Sequence, residues 1–210
     1  VSTLNLWVQG SRWIAAFWST YFLSLYSTSL MPDSAPTDRK SLRQVLRQRR
    51  RALTSYQQQQ AARQLAQRLI AHPWFASSRN IAFYQATDGE ISPHYLLERA
   101  LALGKHCYLP VLRRFPKQQL GFVRISRHSR LHRHRFGMLE PQQRPRRFAH
   151  QLDLLCMPLV GFDRCGRRLG MGGGFYDRSL AGYKNRPVLK IGLAHDCQHL
   201  DKLENAAWDI

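Results

Sequence analysis

The sequence predicts an α/β fold, a single domain in which helices cover both faces of a mostly parallel central sheet. Three observations carry the prediction. Short apolar runs alternate with stretches of helical period, the rhythm of βαβ units. Boundaries are punctuated, by proline at 73 and glycine at 104. The 210 residues suffice for one sizeable core, and nothing in the punctuation demands a second domain.

The elements follow in order. Leu42, Val45, Leu46 and Leu53 form an apolar stripe over 39–53 whose opposite face is basic, the pattern of a first helix. Ala61, Ala62, Leu65, Ala66, Leu69 and Ile70 repeat the period up to His72-Pro73, where proline stops the helix. Residues 80–84 read as a short strand. Residues 93–103 read as a helix with Leu96, Leu97, Ala100 and Leu101 inward and Gly104 as its cap, leading to a strand over 106–111. Residues 120–126 alternate like a half-exposed strand, and 127–135 form a His/Arg-rich loop. The apolar run 152–162 supplies the central buried strand, with a helix from Phe175 and a further buried strand over 187–194.

Lys and Arg number 32 against 13 Asp and Glu, a formal net charge of +19. Such a balance points to anionic partners without saying which. The first thirty residues differ: Arg12 is their only charge and they are rich in aromatics. As a membrane anchor, residues 13–30 are near the minimum length and diluted by serine and threonine. As a signal peptide they lack a basic start and a clear cleavage site. The favoured expectation makes Met31 the initiator and 1–30 translated upstream sequence. Cys107, Cys156, Cys165 and Cys197 form no C-x-x-C pair and read as reduced thiols of a cytoplasmic protein. His195, Cys197 and His199 would share one face of a strand, a weak metal pattern with no fourth ligand.

The most informative run is Arg167-Arg168-Leu169-Gly170-Met171-Gly172-Gly173-Gly174-Phe175-Tyr176-Asp177-Arg178. Gly170, Gly172 and Gly174 lack a Cβ, so the backbone can take positive φ and turn its N–H groups toward an anion where the next helix begins. Arg167, Arg168 and Arg178 add charge, and Asp177 offers a hard oxygen suited to Mg²⁺. A nucleotide with its metal is the economical ligand. The run is neither a Walker loop nor a G-x-G-x-x-G fingerprint, and a flexible strand-to-helix loop is the bland alternative.

Pro158-Leu159-Val160-Gly161-Phe162-Asp163, Gly166 and the run from Arg168 to Arg178 together resemble the signature of 5-formyltetrahydrofolate cyclo-ligases, or methenyltetrahydrofolate synthetases. The resemblance extends over about 39–209. It implies a three-layer NagB/RpiA/CoA-transferase-like sandwich and ATP- and Mg²⁺-dependent conversion of 5-formyltetrahydrofolate to 5,10-methenyltetrahydrofolate, with release of ADP and phosphate. Carried over residue by residue, it implies ATP binding by Arg39, Lys40, Arg43 and the loop residues Arg168, Leu169, Gly170, Met171, Gly172, Gly173, Gly174, Phe175 and Tyr176. It implies folate binding by Arg43, Tyr84, Glu90, Gly172, Gly173, Gly174 and Tyr176, catalytic roles for Arg168 and Tyr176, and metal ligation by Asp177 and Asp209.

Arg47 to Arg51 are expected to be surface charge, and Gly137-Met138-Leu139-Glu140-Pro141 resembles a family turn near the substrate. Two positions depart from the family pattern. Glu204 stands where members place a proline, and members continue beyond Asp209 into a short final strand, so Asp209 is expected on a frayed end that weakens turnover more than nucleotide affinity. A monomer with no membrane or specific nucleic-acid partner is expected. The alternative, motivated by charge, is a non-enzymatic RNA-binding module, although the chain carries no RNP-type or KH signature.

Overall fold

The computed structural model describes residues 7–9, 38–113, 119–133, 139–141, 147–181 and 188–203. Its strands are β1 (Trp7–Gln9), β2 (Asn80–Ala82), β3 (His106–Leu112), β4 (Leu120–Ile125), β5 (Leu131–Arg133), β6 (Leu139–Pro141), β7 (Leu154–Pro158), β8 (Gly161–Asp163), β9 (Arg168–Leu169), β10 (Leu189–Leu193) and β11 (His199–Leu200). Its helices are α1 (Arg39–Arg51), α2 (Ser55–Ile70), α3 (Pro73–Ser77), α4 (His94–Ala102) and α5 (Phe175–Ala181).

The main sheet has the order β1-β10-β7-β2-β3-β4. Its four inner strands, β10, β7, β2 and β3, are parallel, and antiparallel β1 and β4 flank them. Successive residues of the inner strands alternate between two apolar layers. Ile81, Leu109, Leu154, Cys156 and Ile191 pack with α2, α3 and α4, whereas Ala82, Tyr108, Leu155 and Met157 pack with Leu180 of α5 and Ala149 of a 3-10 turn. The predicted α/β architecture and mostly parallel sheet are therefore present. The Asp153 carboxylate fastens two central strands at their start, its Oδ2 accepting from the backbone N–H of Arg79 at 2.8 Å and of Asn80 at 2.7 Å.

Helix starts follow their local chemistry. Asp38 caps α1 by accepting from the Ser41 backbone N–H at 3.1 Å, and Thr54 and Gln57 close α2 in a reciprocal capping box. Pro73 does more than end α2: it occupies the first turn of α3, where its missing N–H costs nothing.

Three other expectations are corrected. The apolar run 152–162 is not one strand. It leaves the main sheet after Pro158 and folds into β8, which pairs with β9 and with β11, so a hairpin separates the central strand from the glycine loop. Strand β4 is buried except at Arg124, because α5 and the 3-10 turn at Ala149 cover it. Residues 131–133 of the expected loop pair as β5 with β6. Within the expected extension, Trp7–Gln9 lie antiparallel to β10; Met31, Gly137, Met138, Glu204 and Asp209 lie outside the described residues.

Helix α1 packs on neither face of the main sheet. Leu42 and Leu46 instead join Val160, Leu169, Leu200 and Leu203 over the small sheet. Contact there is close: a Cβ on Gly161 would lie 2.6 Å from Leu46 Cδ1. Gly161→Ala should therefore destabilise the fold by about 1–3 kcal/mol through overpacking. Denaturant midpoints of the two proteins check this, and equal midpoints would show that Leu46 moves aside freely.

Candidate active site

In this strand order the chain moves outward from β2 to β3 on one side and to β7 and β10 on the other, so a topological switch point lies between β2 and β7. Ligands of open α/β sheets bind in the crevice outside the carboxyl ends of strands at such a point. The segments leaving β2, β7 and β10 carry Tyr84 to Glu90, Leu159 and Val160, and His195, and α1 lies against them.

The β2 exit is shaped by a tight turn. Asp88 and Gly89 both adopt positive φ, +54° and +74°. Gly89 is required by proximity as well, since a Cβ there would sit 3.0 Å from the Arg50 carbonyl oxygen. The Asp88 carboxylate accepts from Arg47 Nε at 2.7 Å, from Arg50 Nη2 at 2.8 Å and from Arg51. Burial pushes the Asp88 carboxyl up, but bonds from Arg47, Arg50 and Arg51 outweigh it and hold the group below the usual carboxylate range. The expectation that Arg47 to Arg51 are surface charge fails here, because Arg50 is fully buried. Its spacing carried the signal: position 50 continues the inward series Leu42, Leu46 at i+4 and i+8.

Glu90 follows the turn and is buried. Its Oε2 accepts from the Thr87 backbone N–H at 3.0 Å, and Oε1 lies 3.7 Å from Arg50 Nη2. Burial raises its carboxyl above the ordinary value, opposed by the Thr87 N–H and by Arg50. The buried Tyr84 hydroxyl donates to the Ile91 carbonyl at 2.6 Å, which ties the β2 exit to the far end of the turn. Burial, and next the Glu90 charge, push both Tyr84 and Tyr176 upward, so both phenols stay protonated donors at neutral pH.

On the other side lies the glycine loop between β9 and α5. Gly172 and Gly174 take positive φ, +97° and +60°, whereas Gly170 does not. Gly173 is needed for a different reason, since a Cβ would lie 2.8 Å from the Phe175 ring. Arg43 Nε donates to the Gly170 carbonyl at 2.9 Å and its guanidinium lies alongside Gly172, so helix α1 holds the loop directly. Arg178 Nη2 donates to the Gly173 carbonyl at 2.6 Å. Arg167 turns away from this cradle to pair with Asp163 at 2.7 Å.

Arg168 is buried beside Gly170 and pairs with Asp177 through Nη2, while its buried Nε has no hydrogen-bond partner among the described residues. A charged donor left unmet inside a protein is costly, and an anion on the loop would satisfy it. Asp177 also fits a metal beside such an anion. It lies in the first turn of α5, is partly exposed, and is bonded among the described residues by Arg168 alone. Magnesium commonly takes one or two protein carboxylates together with phosphate oxygens. His195, Cys197 and His199, a weak metal pattern already in the sequence, do not share a strand face: a 3-10 turn separates His195 from β11, and the described residues contain no group of three potential metal ligands. No described helix is long and apolar enough to cross a membrane.

Fold and crevice thus define an α/β protein whose arginine-lined glycine loop faces an acid- and tyrosine-bearing turn across a switch point. Residues 35–210 match the model of the 5-formyltetrahydrofolate cyclo-ligase family, and the chain belongs to that family. A 5-formyltetrahydrofolate cyclo-ligase of Escherichia coli K12 is 41% identical over 168 residues, spanning 79% of this chain and 92% of that protein. One of Haemophilus influenzae is 38% identical over 82% of this chain and 93% of its own length. Among solved structures, the 5,10-methenyltetrahydrofolate synthetase of Aquifex aeolicus superposes with a TM-score of 0.71 at 29% identity, covering 82% of this chain and 85% of that one. A Mycoplasma pneumoniae synthetase at 22% identity, TM-score 0.61, shares the fold.

Sequence reasoning missed Gln198 and the buried roles of Arg50, Asp88 and His195. Gln198 is buried and donates through Nε2 to the Leu159 and Val160 carbonyls at 2.8 and 2.9 Å, meeting acceptors that the departing β7 strand exposes. Burial, with the nearby Arg50 charge, pushes His195 down to about 4, so the folded state holds the ring neutral. In the unfolded chain it takes a proton near the ordinary 6.5. The stability gained by keeping it neutral is fully present above pH 6.5 and is lost as the pH falls toward 4. The native chain should therefore lose more stability between pH 6.5 and 4 than His195→Asn; superimposable acid limbs in chemical denaturation would contradict this.

Proposed function

We propose that the chain converts 5-formyltetrahydrofolate to 5,10-methenyltetrahydrofolate in a Mg²⁺-dependent reaction that consumes ATP and yields ADP and phosphate. The observation that carries this reading is the unmet buried Nε of Arg168, set beside the glycine loop and paired with Asp177. Family membership supplies the substrate class, and the names of the E. coli and Aquifex relatives carry the substrate and the product of this conversion.

The chemistry asks for positioning and charge rather than a strong base. The formyl oxygen is a poor leaving group; once it attacks the γ-phosphorus and ADP departs, it leaves as phosphate when N10 adds to the same carbon and gives up its proton. Negative charge gathers on the transferred phosphoryl oxygens, where Arg168, the loop amides, Arg39 and Arg43 offer donors, with Lys40, Leu169, Met171 and Phe175 completing the nucleotide surface. Mg²⁺ held by Asp177, with Asp209 as the family's second ligand, would neutralise part of that charge. Glu90 and Tyr176 face the folate, with Tyr84 bracing the turn through Ile91; a carboxyl with a raised pKa can accept from or donate to a pterin edge. Gly172, Gly173 and Gly174 let both ligands approach the backbone where a side chain would intrude.

Incubation of the chain with Mg-ATP and 5-formyltetrahydrofolate should generate the methenyl chromophore, and neither ATP nor metal should be dispensable. Steep salt-dependent RNA binding with no turnover would favour the basic RNA-binding module instead. Two variants refine the assignment. Asp177→Asn should keep the fold and lose Mg²⁺-dependent turnover, and an unchanged metal dependence would remove Asp177 from the site. Arg43→Ala should weaken ATP binding by roughly one to two decades, the size of one charge-assisted hydrogen bond; an unaltered dissociation constant would leave Arg43 as a loop anchor only.

A further inference from the structure

We infer that Arg50 is a positioning residue that couples the nucleotide loop to the folate-facing turn, so that each ligand prepares the site for the other. The inference rests on the function proposed above. The guanidinium of Arg50 is fully buried and touches three segments that meet at the switch point. Toward the turn, Nε donates to the Asp88 carbonyl at 2.8 Å, Nη2 donates to the Asp88 carboxylate at 2.8 Å, and Glu90 Oε1 lies 3.7 Å away. Toward the β7 exit, Nη1 donates to the Leu159 carbonyl at 3.2 Å. Toward the glycine loop, Nη2 lies 3.9 Å from Met171 Sδ.

One rigid plane therefore bears on Glu90 and on Met171 simultaneously. A guanidinium cannot adjust its donors one by one: a shift that improves one contact tilts the others. With no exposed surface, Arg50 is not placed to touch a ligand, and its effect must pass through the groups it holds. Folate contacting Glu90 fixes the Asp88 turn and, through Arg50, favours one position of Met171; a nucleotide ordering the loop acts in the reverse sense. Linkage requires the two effects on affinity to be equal. Arg43, bonded to Gly170, lies two helical turns away on the same helix, so α1 carries both attachments.

The test uses the full chain, a non-hydrolysable Mg-ATP analogue and 5-formyltetrahydrofolate, each titrated calorimetrically with and without the other. The native chain should bind each ligand about 5-fold or more tightly in the presence of the other, within the usual range of coupled sites. Arg50→Lys keeps the charge but loses the fork, and should bring that factor close to one while raising both KM values. A purely structural role would instead lower Tm and leave the coupling of the folded protein intact. Met171→Leu, at a position 47% exposed and safe for folding, removes the sulfur acceptor and should also reduce the coupling. Should Arg50→Lys not fold, unchanged coupling in Met171→Leu overturns the inference, as does a native factor of one in an active protein. Absence of turnover in the native chain would instead overturn the functional reading, and this inference with it.

Discussion

Burial of one arginine among acceptors that meet each of its three nitrogens is the interaction on which the rest of this site depends. Removing a guanidinium from water costs several kcal/mol unless its donors are met, and breaking such a buried pair costs about 3–5 kcal/mol. Arg50 meets that condition by gathering Asp88, Leu159 and Met171 around itself. The same requirement explains the positive φ of Asp88, a conformation unfavourable for a residue with a Cβ, which brings both its carbonyl and its carboxylate within reach of one side chain. Gly89 then lets the helix backbone close over the turn.

The two halves of the crevice have different physical characters. The β2 exit is a preassembled polar knot in which nearly every group has a partner: Tyr84 bonds Ile91, Glu90 bonds Thr87, and Asp88 has three arginines. The glycine loop is held from outside, by Arg43 and Arg178 on its carbonyls, while Arg168 keeps a donor in reserve. Carbonyls engaged from behind leave the loop amides free to turn toward a ligand. A protein built this way has the polar partners of its folate side in place before binding and completes those of its nucleotide side on binding.

Much of this was legible in the chain. Period and punctuation located α1, α2, α4 and the inner strands, and the glycine run with its Tyr-Asp placed the family and the loop. Periodicity failed where a strand must leave its sheet: the run from Leu154 to Phe162 is apolar throughout because it is buried first in the main sheet and then around the small one, and nothing in hydropathy marks the change. It failed again at Arg50, where residue type outweighed position. A charged residue on the leucine face of an amphipathic helix is either an error of register or a buried ion seeking a partner, and its partner, Asp88, is 38 residues away, beyond any local pattern. Gln198 escaped notice for the same reason, serving carbonyls 38 and 39 residues upstream. The loop glycines also differ in what requires them: Gly172 and Gly174 are required by φ, and Gly173 by the Phe175 ring.

The most direct measurement is a crystal structure of this chain with a non-hydrolysable ATP analogue and Mg²⁺. A phosphate oxygen should lie within hydrogen-bond distance of Arg168 Nε, and an Asp177 carboxylate oxygen within about 2.1 Å of the metal. Phosphates bound elsewhere, with Nε still unmet and Asp177 still engaged by Arg168 alone, would contradict that arrangement.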